Sequence, residues 1–340
     1  MEFVCYAGWN QLPESAAPLF SRAAEDSVFF SRTWFENLLR HATADRENIL
    51  LACVVEDGKV LALLPLEMRS PEHWYALTNL YSSLYTLLIA EHEQGEVIEC
   101  LARGLSRQPF SLLRLDPIAA DDRTLQEFQQ AMESLGVACH RRFRFYNWVH
   151  RTQGQSFYDY MGARPARVRN SIARKERKLA REHGYTIRLF TGSDLQQAMA
   201  DYNAVYRRSW KANELCGEFV DGLACGLSGQ DRLRLAILYV GDRPVAAQLW
   251  FVVHGKASIF KLAYDEDWRR YSPGSILTKY LMKHVIDNDK VAEIDFLTGN
   301  DTYKQDWMSE RRERWALYCT NGPKPERGVT RLLKWLHGSK

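Results

Sequence analysis

The chain has 340 residues, 46% hydrophobic and 26% charged, a balance that excludes disorder and fibrous repeats and, at this length, predicts two domains. Forty-five basic and 42 acidic side chains give a net charge of +3, too even for a general nucleic-acid binder, so any electrostatic preference is local. The seven cysteines (Cys5, Cys53, Cys100, Cys139, Cys216, Cys225, Cys319) are odd in number and lack zinc or C-x-x-C spacing, the start Met1-Glu2 is acidic, and no apolar run reaches the ~20 residues that span a bilayer; a reduced, cytoplasmic protein is expected.

In chain order, Ser31 to Ala42 reads as a helix with Trp34, Phe35, Leu38 and Leu39 on one face. The apolar runs Ile49–Val55 and Val60–Leu66, separated by Glu56-Asp57-Gly58-Lys59, read as a hairpin. A helix over Val97–Leu105, a short strand over Leu112–Leu115, a helix over Leu125–Leu135 and a strand over Arg141–Val149 complete an α/β unit. The polar stretch Thr152-Gln153-Gly154-Gln155 marks a boundary, dividing the chain into residues 1–152 and 153–340.

The second unit begins with a helix from about Pro165 to Glu182, stopped by Gly184, whose stretch from Arg164 carries eight basic residues against two acidic ones. Tyr185–Phe190 reads as a strand, Ser193-x-x-Gln196 as a capping box, and the apolar spacing from Leu195 as a helix running to about Lys211. Leu233–Val240, Val245–Val253 and Ala257–Tyr264 form an antiparallel meander with turns at Gly241-Asp242-Arg243-Pro244 and Gly255-Lys256. A loop over Asp265–Gly274 leads into a helix over Ser275–Asn288 and a strand over Val291–Phe296; a strand over Arg314–Cys319 and a helix over Val329–Leu336 close the chain. His-Glu-x-x-His, Gly-x-Ser-x-Gly and a phosphate-binding Gly-Lys-Ser/Thr loop are absent.

A meander followed by an anion-ready loop, a helix and a short strand resembles the GNAT acyltransferases. Arg269-Arg270-Tyr271-Ser272-Pro273-Gly274 resembles the family's Gln/Arg-x-x-Gly-x-Gly/Ala loop, with the first glycine replaced by Ser272. The Ser-Pro-Gly, the later Asp295-Phe296-Leu297-Thr298-Gly299 to Tyr303-Lys304 block and the Arg169-Asn170-Ser171-Ile172-Ala173-Arg174-Lys175 stretch resemble the FemAB-like and CelD-type branch, over roughly 156–318. That resemblance implies a mixed, mainly antiparallel α/β (α+β) fold of tandem GNAT-like halves, each a twisted sheet flanked by helices. The N-terminal half lacks a counterpart of the Ser-Pro-Gly loop and is expected to be degenerate.

The resemblance also implies roles. Acyl-CoA, acetyl or longer, would lie on the strand end at Leu262 and Tyr264 and on the loop formed by Arg269, Arg270, Ser272, Pro273, Gly274 and Ser275, where helix N–H groups and the helix dipole favour a pyrophosphate. Tyr303 is expected to protonate the leaving thiolate, and either Asp295 or Asp301 to serve as base, directly or through water. Arg169, Arg174, Lys178, Trp210 and Lys304 are the expected substrate contacts. No metal is called for.

The leading reading is an acyl-CoA-dependent N-acyltransferase acting on an amino sugar, peptide or other small amine, possibly anionic. Its rivals are a Fem-type aminoacyl-tRNA-dependent ligase of cell-wall precursors and a non-catalytic GNAT-fold subunit of an exopolysaccharide machine. The sequence leaves no evident room for the helical insertion that Fem ligases carry for tRNA, which disfavours a tRNA partner. The terminal helix with Trp335 is amphipathic enough for peripheral membrane contact, although docking on the protein is the simpler expectation.

Overall fold

The structure is a computed structural model that describes residues 1–42, 48–91, 94–192, 194–211 and 214–321. The expected capping serine Ser193 and the terminal helix over 329–336 lie outside the described residues.

In the first half, β1 (Glu2–Ala7) pairs with β2 (Ile49–Glu56), which forms a hairpin with β3 (Lys59–Ser70). The hairpin turn places Asp57 at φ 48° and Gly58 at φ 76°, a left-handed pair that Asp-Gly adopts readily. Between β1 and β2 lie helices α1 (Ala17–Asp26) and α2 (Arg32–His41); the Ser31 side chain caps α2 by accepting from the Trp34 N–H at 3.1 Å. The half continues through β4 (His73–Ala76), β5 (Leu88–Ile89), α3 (Gln94–Ser106), β6 (Leu112–Ala119), α4 (Arg123–Ser134) and β7 (Ala138–Arg151).

The second half repeats this order. Helices α5 (Phe157–Gly162) and α6 (Ala166–Glu182) precede β8 (Thr186–Phe190), and α7 (Leu195–Arg207) and α8 (Gly217–Ser228) precede the meander β9 (Leu233–Val240), β10 (Arg243–Val253) and β11 (Lys256–Tyr264). A 3-10 helix over Glu266–Tyr271, α9 (Pro273–Asp287), β12 (Glu293–Thr298), α10 (Lys304–Trp307) and β13 (Glu310–Thr320) follow.

All thirteen strands of the described residues belong to one sheet, with the main order β1-β2-β3-β4-β6-β13-β7-β12-β11-β10-β9-β8 and β5 against β3. The arrangement is mixed: β4 runs parallel to β6 and β11 parallel to β12, at the same place in each half, and the remaining pairs are antiparallel. The last strand of each half is exchanged. β7 pairs with β12 of the second half, and β13 returns to lie between β6 and β7.

Three buried clusters follow from this layering. One lies under α3 and α4 and holds Leu101, Leu113, Phe128 and Leu317; a second lies under α6 and α9 and holds Ile172, Trp250, Leu277 and Ile294. The third joins the halves, bringing Trp34 and Phe35 of α2 against Phe219 and Leu223 of α8. Trp34 meets Phe219 edge-to-face at 5.1 Å, and the Asn37 amide donates to the Phe219 carbonyl at 2.9 Å. Apolar burial of this kind stabilises by roughly 25 cal/mol per Å² removed from water, so the halves are held as one body.

Candidate active site

β11 and β12 pair only over Lys256–Ser258 with Glu293–Asp295, and then part. Two local irregularities assist the parting. On β11 the register against β10 shifts so that Phe260 is an extra residue between Ile259 and Lys261, a bulge that re-aims the side chains beyond it. On β12 the register against β7 shifts between Asp295 and Thr298, and Leu297 sits at φ 54°, a conformation that a leucine holds only where its surroundings dictate it. The gap opens into a cavity of about 830 Å³.

Leu262, Tyr264, Gly274, Ser275, Trp210, Asp301, Tyr303 and Lys304 all line this cavity. Residues read from separate motifs therefore meet at one place. The start of α9 is pinned from behind, because the Gln248 amide donates to the Gly274 carbonyl at 2.9 Å and the Thr278 hydroxyl donates to the same oxygen at 3.0 Å. Gly274 is in close contact rather than at a special backbone angle: a Cβ there would stand 3.2 Å from Cδ1 of Tyr264, so that ring, 4.5 Å from that of Trp210, would have to give by a few tenths of an ångström.

Other expected residues lie elsewhere. Arg269, Arg270, Ser272 and Pro273 do not line the cavity. The 3-10 helix turns Arg270 toward the Tyr271 hydroxyl at 2.6 Å, which in turn donates to Glu182 at 2.9 Å. Ser272 occupies the left-handed region at φ 53°, where its backbone accepts from the N–H groups of Ser275 and Ile276, and Pro273 brings no N–H. The first turn of α9 thus keeps the Gly274 N–H as a donor with no partner among the described residues, which is less than the full nest expected of this loop. Arg169 and Arg174 are exposed on α6, and Lys178 stands over the Tyr271 ring at 5.4 Å, beside the loop rather than in the cavity.

Asp295 is also displaced from the expected place. Alternation along β12 puts Phe296 in the cavity wall and Asp295 on the other face. There its carboxylate accepts from the Asn147 amide at 2.5 Å and from the Leu297 N–H at 2.6 Å, with Arg312 at 3.7 Å. Burial raises its pKa, against the pull of Arg312 and Arg314. Its visible work is to hold the Leu297 bulge.

Lys304 is 4% exposed, and its ammonium donates to the carbonyls of Phe296 at 3.3 Å and Thr298 at 2.5 Å, with Asp301 at 3.5 Å. Burial lowers its pKa and Asp301 opposes that shift. Gly299, at φ 110°, leaves room for this pairing, since a Cβ would approach the Lys304 Nζ to 3.3 Å. Tyr303 packs edge-on to Phe296 at 5.6 Å; the protein around its hydroxyl, then the Asp301 carboxylate, raises its pKa, so the phenol stays protonated.

The sequence reading missed a second group. Lys261 projects from β11 and donates to Glu214 at 2.7 Å, while standing 3.9 Å from the Tyr81 ring centre; the Tyr81 hydroxyl donates to the same carboxylate. Lys211 lines the cavity nearby, with its pKa brought down to about 8 by burial and by Lys261. Lys261, a lone charge within the apolar run Ile259–Ala263, was the available signal. Tyr81 carried none, because it arrives from the first half with Leu80 and Ser83 to wall the cavity.

Comparison with known proteins agrees with this geometry. Residues 166–305 match the family model of the acetyltransferase (GNAT) domain. Among solved structures, FemX superposes with a TM-score of 0.65 at 11% identity, covering 98% of this chain and 100% of its own. L-PGS from Bacillus licheniformis gives 0.53 at 12%, covering 91% and 98%. A tandem GNAT protein from the clavulanic acid biosynthesis pathway gives 0.51 at 13%, covering 95% and 99%. No curated protein matches by sequence. Residues 166–305 are therefore similar to the acetyltransferase (GNAT) domain, and the whole chain has the fold of FemX and of tandem GNAT proteins.

Proposed function

We propose that the protein is an N-acyltransferase that moves an acyl group from acyl-CoA to the amine of a small molecule, amino sugar or peptide. The observation that carries this reading is the cavity opened by the parting of β11 and β12, with the glycine-fitted start of α9 and Tyr303 both in its wall. A thioester laid along β11 would meet strand-edge backbone released from β12 beyond Ser258, a source of N–H donors for the developing oxyanion. The neutral amine attacks the carbonyl carbon, the C–S bond breaks, and the sulfur takes the proton of Tyr303; the proton lost by the new amide nitrogen returns to the tyrosinate through water, directly or by way of Asp301. Lys304 steadies the Thr298 turn and adds positive charge beside the reacting centre.

A second reading, Fem-type transfer from an aminoacyl ester, draws on the sparse N–H cradle at Ser272-Pro273, which suits a pyrophosphate less well than the family loop. One assay separates the two. Free thiol release from acetyl-CoA, followed across a panel of amino sugars and short peptides, is expected to depend on both protein and amine. Release that no amine stimulates, together with transfer from aminoacyl-tRNA, would replace the first reading by the second.

A further inference from the structure

Large apolar side chains stand in solvent beside the cavity. Leu80 is 56% and Trp210 47% exposed, and both line it. Leu215, 80% exposed, follows Glu214, the partner of Lys261 in the cavity wall. Single exposed apolar residues need no explanation, but two at one opening, with a third adjoining a residue bonded to its wall, do.

The same opening is bordered by the basic helix. Arg167, Val168, Ser171 and Ile172 of α6 line the cavity, and helical spacing carries the Arg167 face onward through Arg174, Lys178 and Arg181. Among the described residues, Arg169, Arg174, Lys175, Arg177 and Lys178 have no carboxylate within salt-bridge distance, whereas Arg167 pairs with Asp306 at 2.5 Å. Lys175 donates to the Arg270 carbonyl and Lys178 lies over Tyr271 in the field of Glu182, so Arg169, Arg174 and Arg177 remain as cations without a charged partner among the described residues, and these seek an anionic one.

Two demands meet here, an apolar medium for Leu80, Trp210 and Leu215 and an anionic layer for α6. RNA would answer the charges and stack on Trp210, but it offers nothing to two exposed leucines. The interface of an anionic bilayer answers both. We propose that this protein docks reversibly on anionic lipid surfaces, with the three apolar side chains among the upper acyl chains and α6 over the phosphate headgroups. No described helix is long and apolar enough to cross a membrane, so the contact is peripheral. Docked this way, the cavity opens toward the headgroups, and its acceptor amine belongs to a lipid headgroup or lipid-linked molecule. That corollary rests on the N-acyltransferase reading; the docking does not.

Flotation of the full chain with phosphatidylcholine vesicles, with and without about 40 mol% phosphatidylglycerol, tests the docking without any turnover. The bound fraction is expected to rise about tenfold with phosphatidylglycerol at about 50 mM salt and to fall back at about 500 mM. Arg174→Glu with Arg177→Glu should remove the phosphatidylglycerol dependence. Leu80→Ser with Leu215→Ser should cut vesicle binding about tenfold while elution from heparin stays unchanged, because only the apolar contribution is lost. Absence of flotation on anionic vesicles, equal binding to both vesicle types, or wild-type binding by the leucine variant overturns the proposal. Retention of tRNA by a protein that ignores vesicles would assign α6 to RNA instead.

Discussion

Tyr303 illustrates how far a single residue could be read in advance. Its place after the Asp-Phe block identified it, and the structure sets its half-exposed side chain in the cavity wall, with the proton held by the desolvated surroundings of the hydroxyl and by Asp301. Tyr303→Phe removes that donor and keeps the ring against Phe296. We expect kcat for acyl transfer to fall roughly 10²-fold with acyl-CoA affinity and melting temperature nearly unchanged; a lower melting temperature with unaltered kcat would make the hydroxyl structural. Asp295 came from the same motif and could not be placed as well, because the period-two rule says that neighbours on a strand face apart without saying which of them faces the cavity. The Tyr81–Glu214–Lys261 group was beyond reach for a different reason: no local pattern joins residues separated by 133 and 47 positions.

Elements show the same contrast between local and distant causes. The meander and the Asp-Gly hairpin were legible because alternation and turn residues are local. Helix α8 was not, since Gly217, Gly222 and Gly226 lower its helix propensity. Gly222 is there for a distant partner: a Cβ would come within 2.3 Å of the Asn37 Oδ1 on α2. Strand β7 likewise outruns its expected ends, because β12 and β13 extend its pairing on both sides. At its far end His150 bonds Ser309 at 2.6 Å through Nδ1 and Gln155 at 2.5 Å through Nε2. Burial, then Arg164, lowers its pKa from 6.5 to about 4, so the folded state keeps the ring neutral while the unfolded chain takes a proton between those values. Stability from this source is complete above pH 6.5 and declines as the pH falls toward 4, by at most about 3 kcal/mol. Urea unfolding at pH 7 and pH 4.5 should show that decline in the wild type and less of it in His150→Gln; equal pH dependence in both would remove the assignment.

At the scale of the whole molecule, the division near residue 152 was read from a polar, glycine-containing stretch; that position falls just after β7, in a chain whose described strands form one sheet. The exchange of β7 and β13 was not foreseen, because pairing between strands so distant in sequence leaves no periodic trace. Its consequence is mutual dependence: residues 1–152 alone leave β6 and β7 without β13, and residues 153–340 alone leave β12 without β7. We expect each fragment to lack a cooperative thermal transition by itself and the two mixed to recover one, since open sheet edges and an uncovered face at Trp34 and Phe219 favour association. A sharp transition in either fragment alone would contradict this. The first half also walls the cavity, through Leu80, Tyr81 and Ser83. Whether that cavity binds acyl-CoA is read by calorimetric titration of acetyl-CoA into the wild type and Gly274→Val. We predict one saturable site in the wild type, with Kd between about 1 μM and 1 mM, and a loss of at least about tenfold in the variant, where the added side chain presses on Tyr264 and fills the approach to the α9 start. No saturable heat, or equal affinity in the two proteins, would contradict it.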